Sequence, residues 1–402
     1  MSHEIEASRK TQSGVANAML AIFALLLFFG TAEVICRVFD LRPRLGGATA
    51  NPAWLSERWL LPREDYREAF AAEGFLGRYY DLYEWDRHRF YRLRPDVEVS
   101  LLDVFAPASA RERTRWSVRT GPQGYRTRAF ESGPAAGVRR VASLGDSSTF
   151  GWGVAEEEAY PARLERALGG REAGWEVLNL GVPGYSSFQG LVTLVSDGLA
   201  VSPDVVTWSY IANDGAMTGA ADRATYVQRE GWVGALLEIL HRSRFYETLD
   251  AWVAKLRSGA KPPDDVRNVS GYTEAEANVR AAVAAARAAN VGIVLVANCA
   301  RGPVAEVLRR VADETGTPFL DATRLVEDAI PRIASDPAFE ADREAVVARY
   351  GEKAVAANPT LFGLLPDSCH PNPVGHRLIA EALAPMVERA ATGRPARDGR
   401  TP

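Results

Sequence analysis

From Arg139 onward, short runs rich in β-branched residues alternate with longer stretches of helical periodicity, and this alternation limits the chain to one class of fold. The runs Val141–Leu144, Glu176–Leu180, Asp204–Ile211, Gly292–Ala297 and Thr317–Leu320 read as strands. Helical stretches lie between them at Tyr160–Leu168, Ser187–Leu199, Glu274–Ala289 and Val304–Glu314. Such alternation implies an α/β protein whose parallel sheet is covered by helices on both faces. In sheets of this kind ligands gather at the carboxyl ends of the strands.

Ahead of this core, Thr11 to Ala32 contains no charged residue. As a helix rising ~1.5 Å per residue the segment covers roughly 33 Å, enough to cross the hydrocarbon of a bilayer. A transmembrane anchor over residues 15–36 is expected, with a cytoplasmic tail at 1–14. A cleaved signal peptide is the competing reading, with Gly30-Thr31-Ala32 as a weak cleavage site. Arg9 and Lys10 precede the span and Arg37, Arg42 and Arg44 follow it, so the count of positive charges does not favour an external domain. A long following domain translocates largely regardless of such charges, and an extracytoplasmic domain is expected on that ground.

Residues 37–135 read as a membrane-proximal extension rich in Trp, Tyr, Arg and Pro, with a short strand and turn at Arg115–Arg119 and Gly124-Tyr125-Arg126. The main domain spans 136–392. It carries an insertion at 220–270, whose amphipathic stretch from Trp232 to Leu256 reads either as a cap beside the site or as a surface helical hairpin. Residues 393–402 read as a disordered tail.

Hydrophobic residues make up 47% and charged residues 24%, with a net charge of −4. No basic excess exists to neutralise phosphates, so no nucleic-acid partner is expected. Cys36, Cys299 and Cys369 are too few and too scattered for a disulfide framework or a zinc site, and read as isolated thiols. No paired His or Cys spacing points to a metal, and no glycine loop runs into a Lys-Ser or Lys-Thr pair. No cofactor is expected.

The chemistry gathers at two distant patches. Ser147 lies in Leu144-Gly145-Asp146-Ser147-Ser148, on a tight turn after the first core strand, and Asp367-Ser368-Cys369-His370 lies near the other end. A free serine hydroxyl is a poor nucleophile until a histidine removes its proton and a carboxylate holds that histidine in the right tautomer. Asp367 and His370 are three residues apart, which in one helical turn puts both side chains on one side. Pro371 and Pro373 restrict the backbone just beyond. Of the five histidines, His3 precedes the apolar span, His88 and His241 lie in the extension and the insertion, His376 falls in the final helix, and His370 has Asp367 three residues before it. His376 reads as a packing or capping residue of the final helix. Gly181, in Asn179-Leu180-Gly181, is either a turn glycine or a backbone donor facing the strand-end crevice. Asn213, in Tyr210-Ile211-Ala212-Asn213-Asp214, is either ordinary turn chemistry or an amide donor for an oxyanion.

Gly145-Asp146-Ser147, Gly181, Asn213, and Asp367 with His370 together resemble the motif blocks of the SGNH hydrolases, also called the GDSL esterase and lipase superfamily. The likeness covers about Arg139 to Arg389. It implies a flavodoxin-like three-layer α/β/α sandwich, with Ser147 as nucleophile, His370 as base and Asp367 as its orienting partner. It further implies an oxyanion hole formed by the Ser147 and Gly181 N–H groups and the Asn213 side chain. Ser148 replaces the leucine of the popular motif and leaves a second hydroxyl beside the first, so the choice of Ser147 rests on the motif match.

The anchor and extension resemble bacterial envelope members that act on acylated glycans. The resemblance implies a single-pass esterase of the bacterial cell membrane that removes acyl groups, acetyl foremost, from cell-envelope carbohydrate, with polysaccharide-modification machinery as its partner. An O-acyltransferase acting on exopolysaccharide or peptidoglycan would need the same triad. A lipid-directed esterase or lysophospholipase, and a non-catalytic glycan-binding module, are the other readings. Trp152, in Phe150-Gly151-Trp152-Gly153, is either a sugar-stacking residue or a core residue.

Overall fold

Strands that carry apolar side chains on both faces need cover on both sides, and the sequence supplies helices for each. The computed structural model describes residues 2–39, 41, 82–103, 106, 108–215, 217–218, 221–257, 267–268 and 271–392. The extension holds β1 (Tyr83–Asp86), β2 (Phe90–Leu93), β3 (Glu98–Leu101) and β4 (Trp116–Arg119). The main domain holds β5 (Arg139–Gly145), β6 (Trp175–Asn179) and β7 (Val205–Ser209), then the short pair β8 (Met217–Thr218) and β9 (Arg267–Asn268), then β10 (Gly292–Ala297) and β11 (Phe319–Asp321). The central sheet runs β11-β10-β7-β5-β6 with every neighbouring pair parallel. This is the flavodoxin-like order, and its switch point lies between β5 and β7, where a crevice forms beyond the carboxyl ends.

The helices used below are α1 (Ser2–Val38), α2 (Ser147–Phe150), α3 (Tyr160–Ala167), α4 (Ser187–Thr193), α5 (Asp222–Arg229), α6 (Gly231–Leu240), α7 (Arg244–Arg257), α8 (Gly271–Ala288), α9 (Pro303–Thr315), α10 (Ala322–Ser335) and α11 (Pro373–Thr392). Successive strand residues point to opposite faces. Thus Ala142, Leu144, Val206 and Leu295 pack with Phe188, Val279, Val283 and Leu308 of α4, α8 and α9. Val141, Val205, Val294 and Val296 pack on the other face with Tyr160, Leu164, Val326, Ile379 and Leu383 of α3, α10 and α11. Each Val, Leu, Ile or Phe side chain so withdrawn from water contributes roughly 1.5–3 kcal/mol. The three-layer α/β/α expectation holds.

Local departures have physical reasons. The helix expected over Ser187–Leu199 is α4 followed by a π-helical turn at Leu194–Gly198. The stretch from Trp232 to Leu256 breaks at His241 to Ser243 into α6 and α7. Helices at Ala322–Ser335, Glu340–Tyr350 and Glu352–Ala357 have no counterpart in the sequence reading; Pro331 inside the first of them interrupts the pattern a reader would follow.

The extension is part of the core. Leu82, Tyr83, Leu93, Leu101, Trp116 and Val118 are buried in the same cluster as the sheet. The expected tail at 393–402 and residues 42–81 of the extension lie outside the described residues. Val15–Val38 of α1 is an apolar helix long enough to cross a membrane and only 6% buried, as either an anchor or a signal sequence requires.

Candidate active site

β5 delivers Ser147. Asp146 caps α2 by accepting the Ser148 N–H at 2.9 Å, so Ser147 begins the helix and its own N–H belongs to the first turn, where donors lack intrahelical acceptors. The Ser147 Oγ lies 2.8 Å from His370 Nε2. His370 Nδ1 lies 2.6 Å from Asp367 Oδ2. Residues 220 positions apart are thereby joined in one hydrogen-bonded chain at the carboxyl end of the sheet. Ser148 points elsewhere and is fully buried.

Asp367 and His370 meet by a different route from the helical turn expected. Residues 366–370 form turns and bends, in which Asp367 Oδ1 accepts the N–H groups of Cys369 at 2.9 Å and His370 at 3.0 Å. The short acid folds back on its own backbone, an arrangement typical of Asp, and Ser368 takes a left-handed conformation with φ 58° to allow it. Arg301, paired with Glu327 at 2.7 Å, donates to Ser368 O at 2.5 Å and braces the turn.

A second correction concerns the cysteines. Cys299 and Cys369, expected as isolated thiols, form a disulfide with their Cα atoms 4.9 Å apart. They are 70 residues apart in sequence, but Cys299 follows β10 and Cys369 sits in the His370 turn, so both belong to the same rim. Their sulfurs and an imidazole nitrogen lie within 4.8 Å of one another. This is no ligand set for a metal, because the sulfurs are bonded to each other and both ring nitrogens are engaged with Ser147 and Asp367. Cys36 is a free, buried thiol.

The two other candidate donors are engaged in the resting protein. The Gly181 N–H donates to Asn179 Oδ1 at 3.0 Å. A Cβ on Gly181 would lie 2.8 Å from Thr149 C and 2.9 Å from Phe150 Cα, so only glycine lets this strand end approach α2. The Asn213 amide donates to Tyr185 O at 2.9 Å and, over a longer 3.4 Å, to Asp146 Oδ2. Ile211, two residues earlier, has φ 129°, a costly conformation for a β-branched residue, and it turns the chain at the end of β7.

Trp152 is only 8% exposed. Its ring lies 6.0 Å from the His370 ring and 5.4 Å from that of Trp116, so it walls the imidazole and leaves little face for stacking on a sugar. His376 is fully buried; its Nδ1 accepts the Tyr160 N–H at 3.1 Å, and burial pushes its pKa down to about 3. That is the packing role read from the sequence.

Sequence reasoning missed Arg126. Its buried guanidinium donates to Phe150 O at 3.1 Å, Gly151 O at 2.6 Å, Val154 O at 2.8 Å and Ser117 O at 2.8 Å, and it lies over the rings of Trp116 and Phe150. It therefore fastens the extension to the backbone just beyond Ser147. An arginine in a Gly-Tyr-Arg turn carries no sequence signal for this.

Electrostatics favour a charged imidazole. Burial alone would lower the His370 pKa, but the Asp367 carboxylate, its hydrogen bond, and the charges of Asp146 and Asp103 hold it above the usual value. Burial would raise the Asp367 pKa, and the His370 contact with the two backbone donors keeps it below the ordinary carboxylate range. Burial pushes Asp146 up to about 6, against the hydrogen bond from Ser148 and the His370 charge.

Residues 143–378, more than half of the chain, match the family model described as GDSL-like lipase/acylhydrolase. The chain belongs to that family. Like other GDSL-like acylhydrolases it is a serine hydrolase acting on ester bonds. No curated protein sequence matches it significantly. Among solved structures, TesA is similar at 16% identity and a TM-score of 0.36, over 63% of this chain and 99% of that one. A catalytic mutant of Axe2, an acetylxylan esterase from Geobacillus stearothermophilus, is similar at 18% identity and a TM-score of 0.34, over 63% and 95%. A GDSL-like lipase from Bacteroides thetaiotaomicron VPI-5482 is similar at 13% and 0.33, over 63% and 89%.

Proposed function

We propose that this GDSL-like acylhydrolase is a membrane-anchored serine esterase that removes short acyl groups, acetyl foremost, from carbohydrate of the bacterial cell envelope, working on the extracytoplasmic side. The observation that carries the mechanism is the chain from Ser147 Oγ through His370 to Asp367, with links of 2.8 and 2.6 Å. Ser147 attacks the ester carbonyl as His370 Nε2 takes its proton, while Asp367 holds the imidazolium. The tetrahedral oxyanion is received by the Ser147 N–H, joined by the Gly181 N–H and by the Asn213 amide, whose long contact to Asp146 is the easiest to exchange. His370 then protonates the departing sugar oxygen. Water, deprotonated by the same nitrogen, attacks the acyl-enzyme, releases the free acid and restores the Ser147 hydroxyl.

The Cys299–Cys369 disulfide supports an oxidising location, and α1 supplies the anchor. A short acyl group is supported by α6, whose apolar side chains stand exposed on the surface instead of lining a channel for a long chain. The test uses the full chain in detergent. Ser147→Ala abolishes labelling by a fluorophosphonate and Ser148→Ala retains it; the reverse moves the nucleophile to Ser148. Among p-nitrophenyl esters of graded length, acetate is cleaved best, and acetylated xylan or peptidoglycan loses acetate. Preference for long chains overturns the carbohydrate assignment.

A further inference from the structure

Helix α6 turns an apolar face to solvent. Trp232, Val233, Leu236 and Ile239 are all exposed, Trp232 at 76%. At about 100° per residue they fall within one stripe roughly 120° wide, while Glu238 lies on the opposite side and faces Arg87 and Arg242. That opposite side is fastened. Arg87 donates to Arg229 O at 2.9 Å and to Gly231 O at 2.8 Å, and His241 stacks on Trp85 with ring centroids 4.6 Å apart. The helix therefore cannot roll its stripe inward, and soluble surfaces rarely show a contiguous patch of this kind.

The position of α1 identifies what covers it. Beyond α6 the chain runs straight onto the last turns of the apolar span. Glu33 of α1 accepts from Ser243 Oγ at 2.7 Å and from the N–H groups of Arg244 at 3.2 Å and Phe245 at 3.0 Å, capping α7. Arg37 donates to Arg242 O at 3.2 Å, and the Phe245 ring meets those of Phe28 and Phe29 edge-on at 6.2 and 5.9 Å. Where α1 leaves the hydrocarbon, the α6–α7 corner is at the same level. We infer that α6 lies in the interfacial zone of the bilayer, apolar stripe toward the acyl chains, as a second membrane contact beside the anchor. The inference rests on the anchor reading proposed above. A one-sided apolar helix carrying a tryptophan has the composition such a site requires.

The test needs no catalysis. Three full-length variants, Ile239→Cys, Phe23→Cys and Arg324→Cys, carry an environment-sensitive fluorophore in phosphatidylcholine–phosphatidylglycerol vesicles, against the unsubstituted chain, whose one free thiol is buried. For the 239 label, lipids bearing a nitroxide high on the acyl chain quench emission about threefold, as for a group roughly 5–10 Å deep, while the 324 label on the exposed face of α10 is unaffected. Quenching at 23 but not at 239 overturns the inference and leaves the anchor standing. Quenching at neither removes both. Protection of the 239 label from aqueous iodide without quenching by lipid assigns the stripe to a second copy or another protein and also overturns it.

Discussion

Gly181→Ala tests whether the close approach of the second strand end to α2, which carries Ser147, matters for turnover. The added methyl would sit 2.8 Å from Thr149 C and closer still to Phe150 N, both backbone atoms that cannot swing aside. Ordinary contact begins at 3.4 Å, and the nearer atom sets the shift, so β6 and α2 must part by about 1 Å. Such a shift moves Ser147 relative to His370 and moves the Gly181 N–H relative to the reacting carbonyl. A misplacement of about 1 Å costs about 100-fold in rate, so kcat/KM for p-nitrophenyl acetate is expected to fall by about 10- to 100-fold. Overpacking of this size also costs roughly 1–3 kcal/mol of stability. Rates are normalised to the sites titrated by a fluorophosphonate, and thermal unfolding is followed in parallel. A normalised rate within about threefold of the parent refutes the reasoning, because it would mean that the gap closes without disturbing the site.

Three further outcomes follow from the same geometry. With neutral His370 as the base proposed above, its raised pKa keeps the imidazole protonated to higher pH, and kcat/KM climbs with pH through a midpoint above 6.5. Asp367→Asn removes the strongest of the influences that raise it, so a pH–rate profile shows the midpoint falling while kcat drops by about 10⁴-fold. Replacing Cys299 and Cys369 together by alanine opens a 70-residue loop, and denaturant titration is expected to show a loss of about 2–4 kcal/mol.

Much of this molecule could be read from its letters, and the reasons are specific. Val141 and Ala142, or Val205 and Val206, are apolar on consecutive positions because β5 and β7 are covered on both faces, a pattern that announces a parallel sheet. Asp367 and His370 were recognisable because the acid that orients an imidazole is held close in sequence; the turn that unites them was not, since an Asp folding onto its own backbone and a helical turn share the same spacing. The Cys299–Cys369 bond was invisible because only the folded sheet brings β10 beside the His370 turn. Helix α10 was hidden by Pro331, whose lost backbone donor the packed core tolerates. The apolar stripe of α6 was legible as amphipathic but not in direction, because hydrophobicity alone does not say whether a helix faces a core or a bilayer.

The guanidinium of Arg126 makes the segment before residue 136 more than a tether. Four main-chain oxygens, three of them within eight residues of Ser147, look to that one side chain for their protons. A hydrolase excised at the start of its family match would keep every residue of the candidate triad and lose the arginine that holds the main chain just after Ser147. Chimeras that exchange the globular domain between N-terminal helices should therefore carry residues 82–132 along with it, and the segment should diverge in step with its own domain and not with the apolar helix that precedes it.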